Sequence, residues 1–184
     1  MLNPDPIWLP EAQQRHFRLL LDAMARPGTC HAISNKPEEG PLVLSVLASL
    51  LDAEVSLADP HRLLRSDDWP KLQAASVAVE QADYVVCSGA RVPDFTPSLG
   101  TLTEPERSAT LILVVGQLGR GTSRLTLSGP GIANTATLQI DGLEPQWLDM
   151  REDWVSSFPL GVDLILLDEH QVTALPRTTK VELH

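Results

Sequence analysis

Cysteine is scarce in this sequence of 184 residues, which contains only Cys30 and Cys87. Two cysteines so far apart in the chain provide neither a disulfide framework nor the C-x-x-C pattern of redox and zinc sites. We expect both thiols to be reduced and buried. The histidines show neither H-x-x-x-H nor H-E-x-x-H spacing, and the adjacent Cys30 and His31 would point to opposite faces of a strand. The sequence therefore predicts no metal site.

Positive charge is also scarce, since 14 Lys and Arg residues stand against 24 Asp and Glu residues, giving a formal net charge of -10. The basic residues form no cluster along the chain. Nucleic acids and anionic membranes both require a concentrated positive surface, so we expect neither as a partner. An anionic small molecule would need a local site of arginines and backbone N–H groups to overcome the negative field of the whole chain.

Long apolar runs are missing as well. No stretch approaches the roughly 18 uninterrupted apolar residues of a membrane span. The N-terminal "MLNPDPIWLPEAQQRHF" lacks the basic region and apolar stretch of a secretory signal, so we expect a cytoplasmic protein. Hydrophobic residues make up 43% and charged residues 21% of the chain, which is typical of a globular protein. The length fits a single domain, residues 1–184, better than two.

The spacing of apolar residues predicts three main helices. Residues 11–25 predict the first, with Pro10 at its start and Pro27-Gly28 after its end. Its apolar face is predicted to consist of Phe17, Leu20, Leu21 and Met24. Residues 41–52 predict a helix that is apolar on most sides, and residues 61–78 a polar, partly helical stretch broken at Trp69-Pro70. Residues 145–157 predict the last helix, whose apolar positions are Trp147, Leu148, Trp154 and Val155.

Strands are predicted between these helices. Residues 109–116 and 162–167 are near-continuous apolar runs, typical of strands covered on both faces. Shorter strands are predicted at 30–34, 54–59 and 83–89, with another in the closing segment around 170–183, and the Pro-rich residues 91–107 predict a long loop. Residues 123–129 and 136–140 alternate and predict an antiparallel pair on the flank of the sheet. This order of elements predicts an α/β fold, a three-layer α/β/α sandwich with a mixed sheet.

The turn "LSGPGI", residues 127–132, is a candidate binding site because Ser128, Gly129 and Gly131 directly follow a predicted strand. Glycines allow successive backbone N–H groups to converge on an anion. The sequence is neither G-x-G-x-x-G nor a Walker loop, however, and two glycines around a proline are also ordinary turn residues. A structural turn is the favoured interpretation, and contact with a phosphate or another ligand is the alternative.

Two arginines are further candidates. Arg26, beside Pro27-Gly28, could hold a phosphate or phosphonate through its planar guanidinium, or face the carbonyls at the helix end. Arg177 is followed by two hydroxyl groups, those of Thr178 and Thr179. This cluster could bind an oxyanion or contact another subunit, or it could be solvated surface.

Asp163 interrupts the apolar run "FPLGVDLILLD", residues 158–168. Period-two alternation places Asp163 on the side of Ile165 and Leu167 near the start of the strand, where a hydrogen-bonded carboxylate is favoured over a catalytic base. The three lysines lack a pyridoxal-phosphate context, and the serines lack the G-x-S-x-G elbow. No catalytic residue is identified in the sequence.

Five segments occur in a characteristic order: "HFRLLLDAMARPGT", "ATLILVV", "LTLSGPGI", "FPLGVDLILLD" and "LPRTTKVEL". Together they span nearly the whole chain, and their combination resembles the PhnH family, whose members belong to the bacterial carbon-phosphorus lyase core complex. The middle of the chain, from about 34 to 103, is less distinctive.

This resemblance implies a fold like that of the pyridoxal-phosphate-dependent transferases, without the cofactor. It implies a cytoplasmic homodimer when isolated and a complex with the G, I, J and L proteins of the lyase. Together with the G, I and L proteins, a PhnH-family chain is expected to support transfer of the ribose triphosphate of ATP to an alkyl phosphonate with release of adenine. The J protein would then cleave the carbon-phosphorus bond by radical iron-sulfur chemistry. ATP and the alkyl phosphonate are then substrates of the complex, with no cofactor bound by this chain.

An alternative from another class of function is a stand-alone small transferase of α/β fold. Such an enzyme would hold a phosphorylated substrate with Arg26, Ser128 and Arg177. The resemblance assigns no catalytic residue to the chain, so both hypotheses leave the seven candidates Arg26, Ser128, Gly129, Gly131, Asp163, Arg177 and Thr178 as contacts for a ligand or a partner.

Overall fold

The structure is a computed structural model that describes residues 6–33 and 41–184. Its helices are α1 (Pro10–Ala25), α2 (Leu42–Leu50), α3 (Trp69–Leu72) and α4 (Gln146–Val155). Its strands are β1 (His31–Ala32), β2 (Ser56–Ala58), β3 (Ala75–Ser76), β4 (Tyr84–Ser88), β5 (Thr110–Val114), β6 (Gln117–Ser128), β7 (Ala136–Asp141), β8 (Asp163–Leu167), β9 (Gln171–Leu175) and β10 (Lys180–Leu183). No helix in the described ranges has the length and apolar character needed to cross a bilayer.

A seven-stranded mixed sheet forms the centre of the fold, in the order β1-β9-β8-β5-β4-β2-β3. The apolar run at 109–116 becomes β5, which pairs in parallel with β4 on one side and β8 on the other. Leu111 lies opposite Val85 of β4 and Leu164 of β8. Strand β9 is antiparallel to both β8 and β1. The predicted α/β class and mixed sheet are confirmed.

The two faces of this sheet contribute to two different hydrophobic clusters, because alternate side chains of a strand point in opposite directions. On one face, Ile112 and Ile165 pack with residues of α1 and α2, such as Leu20 and Val46. On the other face, Leu111 and Leu164 and their neighbours pack beneath β6, β7 and α4. The central strands are apolar on both sides because both faces are covered.

The predicted position of β6 and β7 is wrong. They pair with each other as expected, but with β10 they form a separate three-stranded antiparallel sheet instead of a flank of the main sheet. Their inward side chains, among them Leu125, Leu127 and Leu138, are almost fully buried against the main sheet. Face-to-face packing buries this apolar side, which an edge position would leave in water. The third layer is therefore part sheet and part helix, instead of the all-helical layer of an α/β/α sandwich.

Helix α1 has the predicted bounds but a different buried face. Its buried residues are Ala12, His16, Leu20 and Ala23, whereas Phe17 is 42% and Leu21 54% exposed. Small alanines on the inner face permit close packing of the helix, and this contact sets its rotation about its axis. The face with the most apolar residues was predicted to be the buried one, and this prediction was wrong.

Two further predictions need correction. Trp69-Pro70 begins the short helix α3 instead of breaking a longer one, and residues 61–68 are turns. Proline fits the first turn of a helix because the N–H it lacks has no intrahelical acceptor there. Cys87 is buried as expected, but Cys30 is only partly buried. Helix α4 and the long loop at 91–107 lie where they were predicted.

Candidate functional site

A cavity of about 670 Å³ opens between α4 and the segment that joins β9 to β10. One wall is formed by the α4 residues Leu148, Arg151, Glu152 and Val155, and the facing wall by residues 177–182. Pro130 of the glycine turn and Phe158 complete the lining. Three regions distant in sequence thus form one cavity, of a size that is ordinary for small-molecule sites.

Arg151 belongs to the buried face of α4. It lies four residues after Trp147 and three before Trp154, so all three project to the same side of the helix. The residue is only 3% exposed. Its Nη2 donates hydrogen bonds to the carbonyl oxygens of Pro176 at 2.6 Å and Thr179 at 3.0 Å. The guanidinium therefore fastens α4 to the β9–β10 connection.

The charge of Arg151 has no counter-ion within the chain as described. No carboxylate of residues 6–33 or 41–184 lies within ion-pairing distance, and its Nε is buried without a hydrogen-bond acceptor. Burial lowers the pKa of Arg151 to about 10, and the more distant negative charge of Asp163 opposes that shift. Arg151 is consequently protonated at neutral pH. A buried cation of this kind is costly unless something compensates it.

Thr179 lies on the opposite wall of the same cavity. It is 2% exposed, and its Oγ1 has no hydrogen-bond partner among the described residues. Its backbone N–H donates to the Pro176 carbonyl at 2.9 Å, which closes a tight turn before β10. Each wall of the cavity therefore contains one buried residue, Arg151 or Thr179, with a polar atom that has no hydrogen-bond partner among the described residues.

The remaining charges on the cavity are mixed. The lining residues include three basic side chains, Arg151, Arg177 and Lys180, and two acidic ones, Glu152 and Glu182. Lys180 and both glutamates are exposed, whereas Arg151 is buried. Interactions of exposed charges are weakened by solvent, so Arg151 dominates the electrostatics of the cavity interior.

Asp163 and Arg177, both predicted as candidates, bind each other. Arg177 Nη2 lies 2.7 Å from Asp163 Oδ2, and Nε lies 3.4 Å from Oδ1. The backbone N–H of Arg177 also donates to Asp163 Oδ1 at 2.7 Å. The interpretation of Asp163 as a hydrogen-bonded carboxylate at the start of a strand is confirmed.

The other donors of Arg177 are also occupied. Nη1 donates to the carbonyls of Pro105 at 3.2 Å and Pro159 at 3.1 Å, and Nη2 donates to Ser108 Oγ in addition to Asp163. All five N–H groups of a guanidinium are therefore accounted for. Arg177 joins the loop before β5, the start of β8 and the end of β9, and it supplies rigidity at the cavity wall.

The glycine turn allows two close backbone approaches. Gly129 has φ +126°, and a Cβ there would lie 2.9 Å from the carbonyl oxygen of Thr178. Gly131 has φ +82°, and a Cβ there would overlap the carbonyl oxygen of Ala25. Ser128 is the last residue of β6 and lies opposite Lys180. These contacts agree with the structural-turn interpretation and place Pro130 on the cavity wall.

Arg26 is separate from the cavity. Its side chain is 61% exposed and forms an ion pair with Asp22, one turn earlier in α1. The structure therefore brings Arg177, Thr178 and the glycine turn together and leaves Arg26 outside. Ligand or partner contact by any of the predicted residues stays a prediction.

Arg151 was not a candidate in the sequence, although the spacing W-L-x-x-R-x-x-W from Trp147 to Trp154 was a usable signal, because it puts an arginine on the same helical face as two tryptophans. Thr179 was predicted only as a hydroxyl beside Arg177, and its burial was not predicted.

Two buried polar side chains outside the cavity, those of Asp168 and His61, have structural partners. The 6%-exposed Asp168 accepts hydrogen bonds from the backbone N–H groups of Leu118 at 2.8 Å and of His170 and Gln171 at 2.7 Å. His61 Nδ1 accepts one from the Ser88 N–H at 3.0 Å. No group of three or more metal-binding side chains occurs in the part of the chain that the structure describes.

Comparison with known proteins adds a family to this geometry. A family model described as "Bacterial phosphonate metabolism protein (PhnH)" matches residues 7–182. "Putative C-P lyase subunit protein HtxG" of Stutzerimonas stutzeri is 42% identical over 177 residues, covering 96% of this chain and 89% of that protein. "Alpha-D-ribose 1-methylphosphonate 5-triphosphate synthase subunit PhnH" of Rhizobium meliloti (strain 1021) is 33% identical over 189 residues, covering 97% and 92%.

These matches extend over the cavity and both sheets, and they confirm the resemblance expected from the five sequence segments. The chain therefore belongs to the PhnH family of bacterial phosphonate metabolism proteins.

Proposed function

We propose that the chain is a required component of the carbon-phosphorus lyase complex in organic phosphonate catabolism. In this role it supports, with the G, I and L proteins of the lyase, the transfer of the ribose triphosphate of ATP to an alkyl phosphonate with release of adenine. The observation that carries the proposal is the family match over residues 7–182, together with the synthase-subunit name of the Rhizobium meliloti relative.

The geometry supports a role as one component of a complex. Asp163, which was considered as a catalytic base, and Arg177, which was considered as a ligand contact, hold each other and three neighbouring segments in place. Such a network fixes a surface in one shape. A rigid surface suits a protein that docks partners, since less side-chain entropy is lost when the interface forms.

The proposal extends to assembly and location. The partners are the G, I, J and L proteins of the lyase, and the isolated chain forms a homodimer in the cytoplasm. ATP and the alkyl phosphonate are substrates of the assembled complex, and this chain carries no cofactor of its own. The likeness to the pyridoxal-phosphate-dependent transferase fold belongs to the same proposal.

One observation favours the alternative, a stand-alone small transferase. The cavity is lined by the buried Arg151, which has no carboxylate partner in residues 6–33 and 41–184 and is suited to a phosphorylated substrate. The alternative as derived from the sequence used Arg26 and Arg177, and these are an exposed ion-paired residue and a fully occupied one. An independent enzyme would therefore need Arg151 in their place.

Reconstitution separates the two functions. The G, I and L proteins are mixed with ATP and methylphosphonate, with and without this chain, and adenine release is followed by chromatography. We expect release only when this chain is present with all three partners. Saturable adenine release by the purified chain alone would support the independent enzyme, and full release without the chain would contradict its role in the complex.

A further inference from the structure

We propose that the cavity between α4 and residues 177–182 binds a phosphorus oxyanion, a phosphate or phosphonate group, through Arg151 and Thr179. The inference goes beyond the proposed function, because a protein can support a complex without holding an anion. That the cavity takes an anion follows from the geometry of this chain. The choice of phosphorus over other anions rests on the proposed function.

The charge of Arg151 is incompletely compensated. A guanidinium that is 3% exposed would normally be neutralised by a carboxylate, yet among the described residues its hydrogen-bond acceptors are two carbonyl oxygens. Carbonyl dipoles compensate a full charge incompletely. Arg151 lines the cavity, and its Nε remains without an acceptor among the described residues. A negatively charged ligand in the cavity supplies both the missing charge and the missing acceptor.

The hydroxyl group of Thr179 is a second unsatisfied polar group at the cavity, since it has no hydrogen-bond partner among the described residues. A buried hydroxyl without a partner costs free energy, and phosphate-binding sites commonly pair an arginine with a threonine or serine hydroxyl. Arg151 Nη2 donates a hydrogen bond to the Thr179 carbonyl at 3.0 Å, so the two residues are in contact across the cavity. An anion bound beside them would therefore lie close to both residues.

Arg177 does not take part, although the sequence made it the first candidate. Its five N–H groups bind Asp163, Pro105, Pro159 and Ser108. Its function here is to hold the 177–182 segment in position. The tight turn at Pro176 then presents Thr179 towards α4.

The cavity volume indicates what else the ligand carries. A space of about 670 Å³ exceeds that of a bare phosphate several-fold, so the anion is one group of a larger molecule. Apolar walls from Leu148, Val155 and the 70%-exposed Phe158 suit an uncharged remainder. Two sources share this chemistry: an alkyl phosphonate and the phosphate chain of a nucleotide.

The exposed carboxylates of Glu152 and Glu182 oppose any anion. Because they are in solvent, their repulsion is partly screened, and they weaken binding without preventing it. Replacing either with glutamine should tighten the binding of the anion. This sign distinguishes an anion site from a site for a cation, for which both replacements would weaken binding.

Isothermal titration calorimetry on the isolated full-length chain tests the proposal, with inorganic phosphate, methylphosphonate, ATP and acetate as separate ligands. The informative variant is Thr179→Val, which removes the unpaired hydroxyl and keeps the shape of the side chain. Its matched control is Thr173→Val, because Thr173 is also fully buried, its Oγ1 has no hydrogen-bond partner among the described residues, and it does not line the cavity. Arg151→Met removes the charge, and Thr179→Val keeps the test valid if Arg151→Met does not fold.

We expect at least one of the phosphorus ligands to bind, and Thr179→Val to weaken it about tenfold, the cost of one hydrogen bond to a charged group. Thr173→Val should leave the affinity unchanged. A higher affinity for methylphosphonate identifies the phosphonate as the source, and a higher affinity for ATP identifies the nucleotide.

Three results would overturn the proposal: no binding of any phosphorus ligand at millimolar concentration, equal affinities for Thr179→Val and wild type, or acetate binding as tightly as phosphate. None of these depends on adenine release by the reconstituted complex. The failure of the anion site and the failure of the proposed function are thus separate observations.

Discussion

Two arginines at the same cavity differ in how far their hydrogen-bonding capacity is used. Arg177 has every donor occupied, while Arg151 has an Nε without an acceptor in the described part of the chain and a pKa lowered to about 10. A satisfied arginine fixes structure, and an unsatisfied buried one is open to a ligand. The side-chain type alone would not have separated them: the sequence made Arg177 a candidate and did not single out Arg151.

Removing either partner of the Asp163–Arg177 pair should destabilise the fold. Both side chains are mostly buried, so Asp163→Ala and Arg177→Ala should each lower the free energy of unfolding by about 3 kcal/mol. The double variant should lose less than the sum, because the two residues share one interaction. Urea denaturation of the four proteins measures the coupling.

The exposed pair Arg107–Glu104 is the control for this cycle. Its side chains are 72% and 51% exposed, so its coupling should be about 0–1 kcal/mol. Equal coupling energies for the two pairs would show that Asp163 and Arg177 have no special structural role.

His61 should make stability depend on pH. Burial, with a smaller contribution from the positive charge of Arg91, lowers its pKa below the ordinary value, against the opposing charges of Asp94 and Asp59. Its Nδ1 also accepts a hydrogen bond from Ser88 N–H, which a protonated ring cannot do. As the pH falls below about 6.5, His61 is protonated in the unfolded chain before it is protonated in the folded chain. The free energy of unfolding therefore decreases until the pH passes the pKa of His61 in the folded chain.

The measurement is the free energy of unfolding in urea at pH 8 and pH 5.5. His61→Asn keeps an acceptor near the position of Nδ1 but does not titrate, so it should show a smaller loss between the two pH values than wild type. Identical losses in the two proteins would exclude His61 as the source of the pH dependence.

At the scale of elements, the sequence predicted existence and type better than orientation. Residues 109–116 and 162–167 were predicted as buried strands and form β5 and β8 at the centre of the sheet, because a strand covered on both faces needs an uninterrupted apolar run. The rotation of α1 and the separate sheet of β6 and β7 were not predictable in the same way. Both depend on what each element packs against, which a local pattern does not contain.

The glycine turn allows a direct test of close packing against backbone strain. Gly131 and Gly119 have nearly the same positive φ, +82° and +78°, but a Cβ at Gly131 would overlap the Ala25 carbonyl, and one at Gly119 would meet nothing within 4 Å. Gly119→Ala should therefore cost about 1–2 kcal/mol from the left-handed conformation alone. Gly131→Ala should cost a further ~1–3 kcal/mol from overpacking.

Thermal denaturation of both variants gives the comparison. A melting temperature that falls equally in both variants would show that the approach to Ala25 is not tight. In that case the glycine turn would be able to move away from Ala25 and accommodate the added methyl group.

At the scale of the molecule, two hydrophobic clusters share one sheet. Ile112 and Leu111 are neighbours in β5, yet one belongs to the cluster under α1 and α2 and the other to the cluster under β6, β7 and α4. Because both clusters include side chains of the same strands, unfolding of the sheet would expose both clusters to water. A single domain over residues 1–184 remains a prediction, and this sharing is the physical reason for it.

Unfolding should accordingly be a single transition. Trp147 and Trp154 are in one cluster, and Trp8 and Trp69 pack against the other. In the variant Trp8→Phe, Trp69→Phe, fluorescence should report on one face alone, while far-UV circular dichroism reports on the whole chain. We expect the same urea midpoint from both signals. Separate midpoints would indicate two units that unfold independently.

The cavity could not have been derived from the sequence as a whole site. Its walls come from the glycine turn, α4, the segment around Phe158 and residues 177–182, and their meeting depends on how the small sheet lies across the main one. The sequence identified Arg177, Thr178 and the turn as unusual. The sequence did not predict the burial of Thr179, because the residues that line the cavity with it, such as Pro130 and Arg151, lie far from it in the sequence.

The turn after α1, the glycine turn and the segment at Thr178 meet in space. A side chain at Gly28 would collide with Leu127, one at Gly129 would crowd Thr178, and one at Gly131 would collide with Ala25. Three of the five sequence segments that mark the family therefore pack against one another at a single place in the fold. Substitutions at these glycines and at the residues they contact should therefore depend on one another.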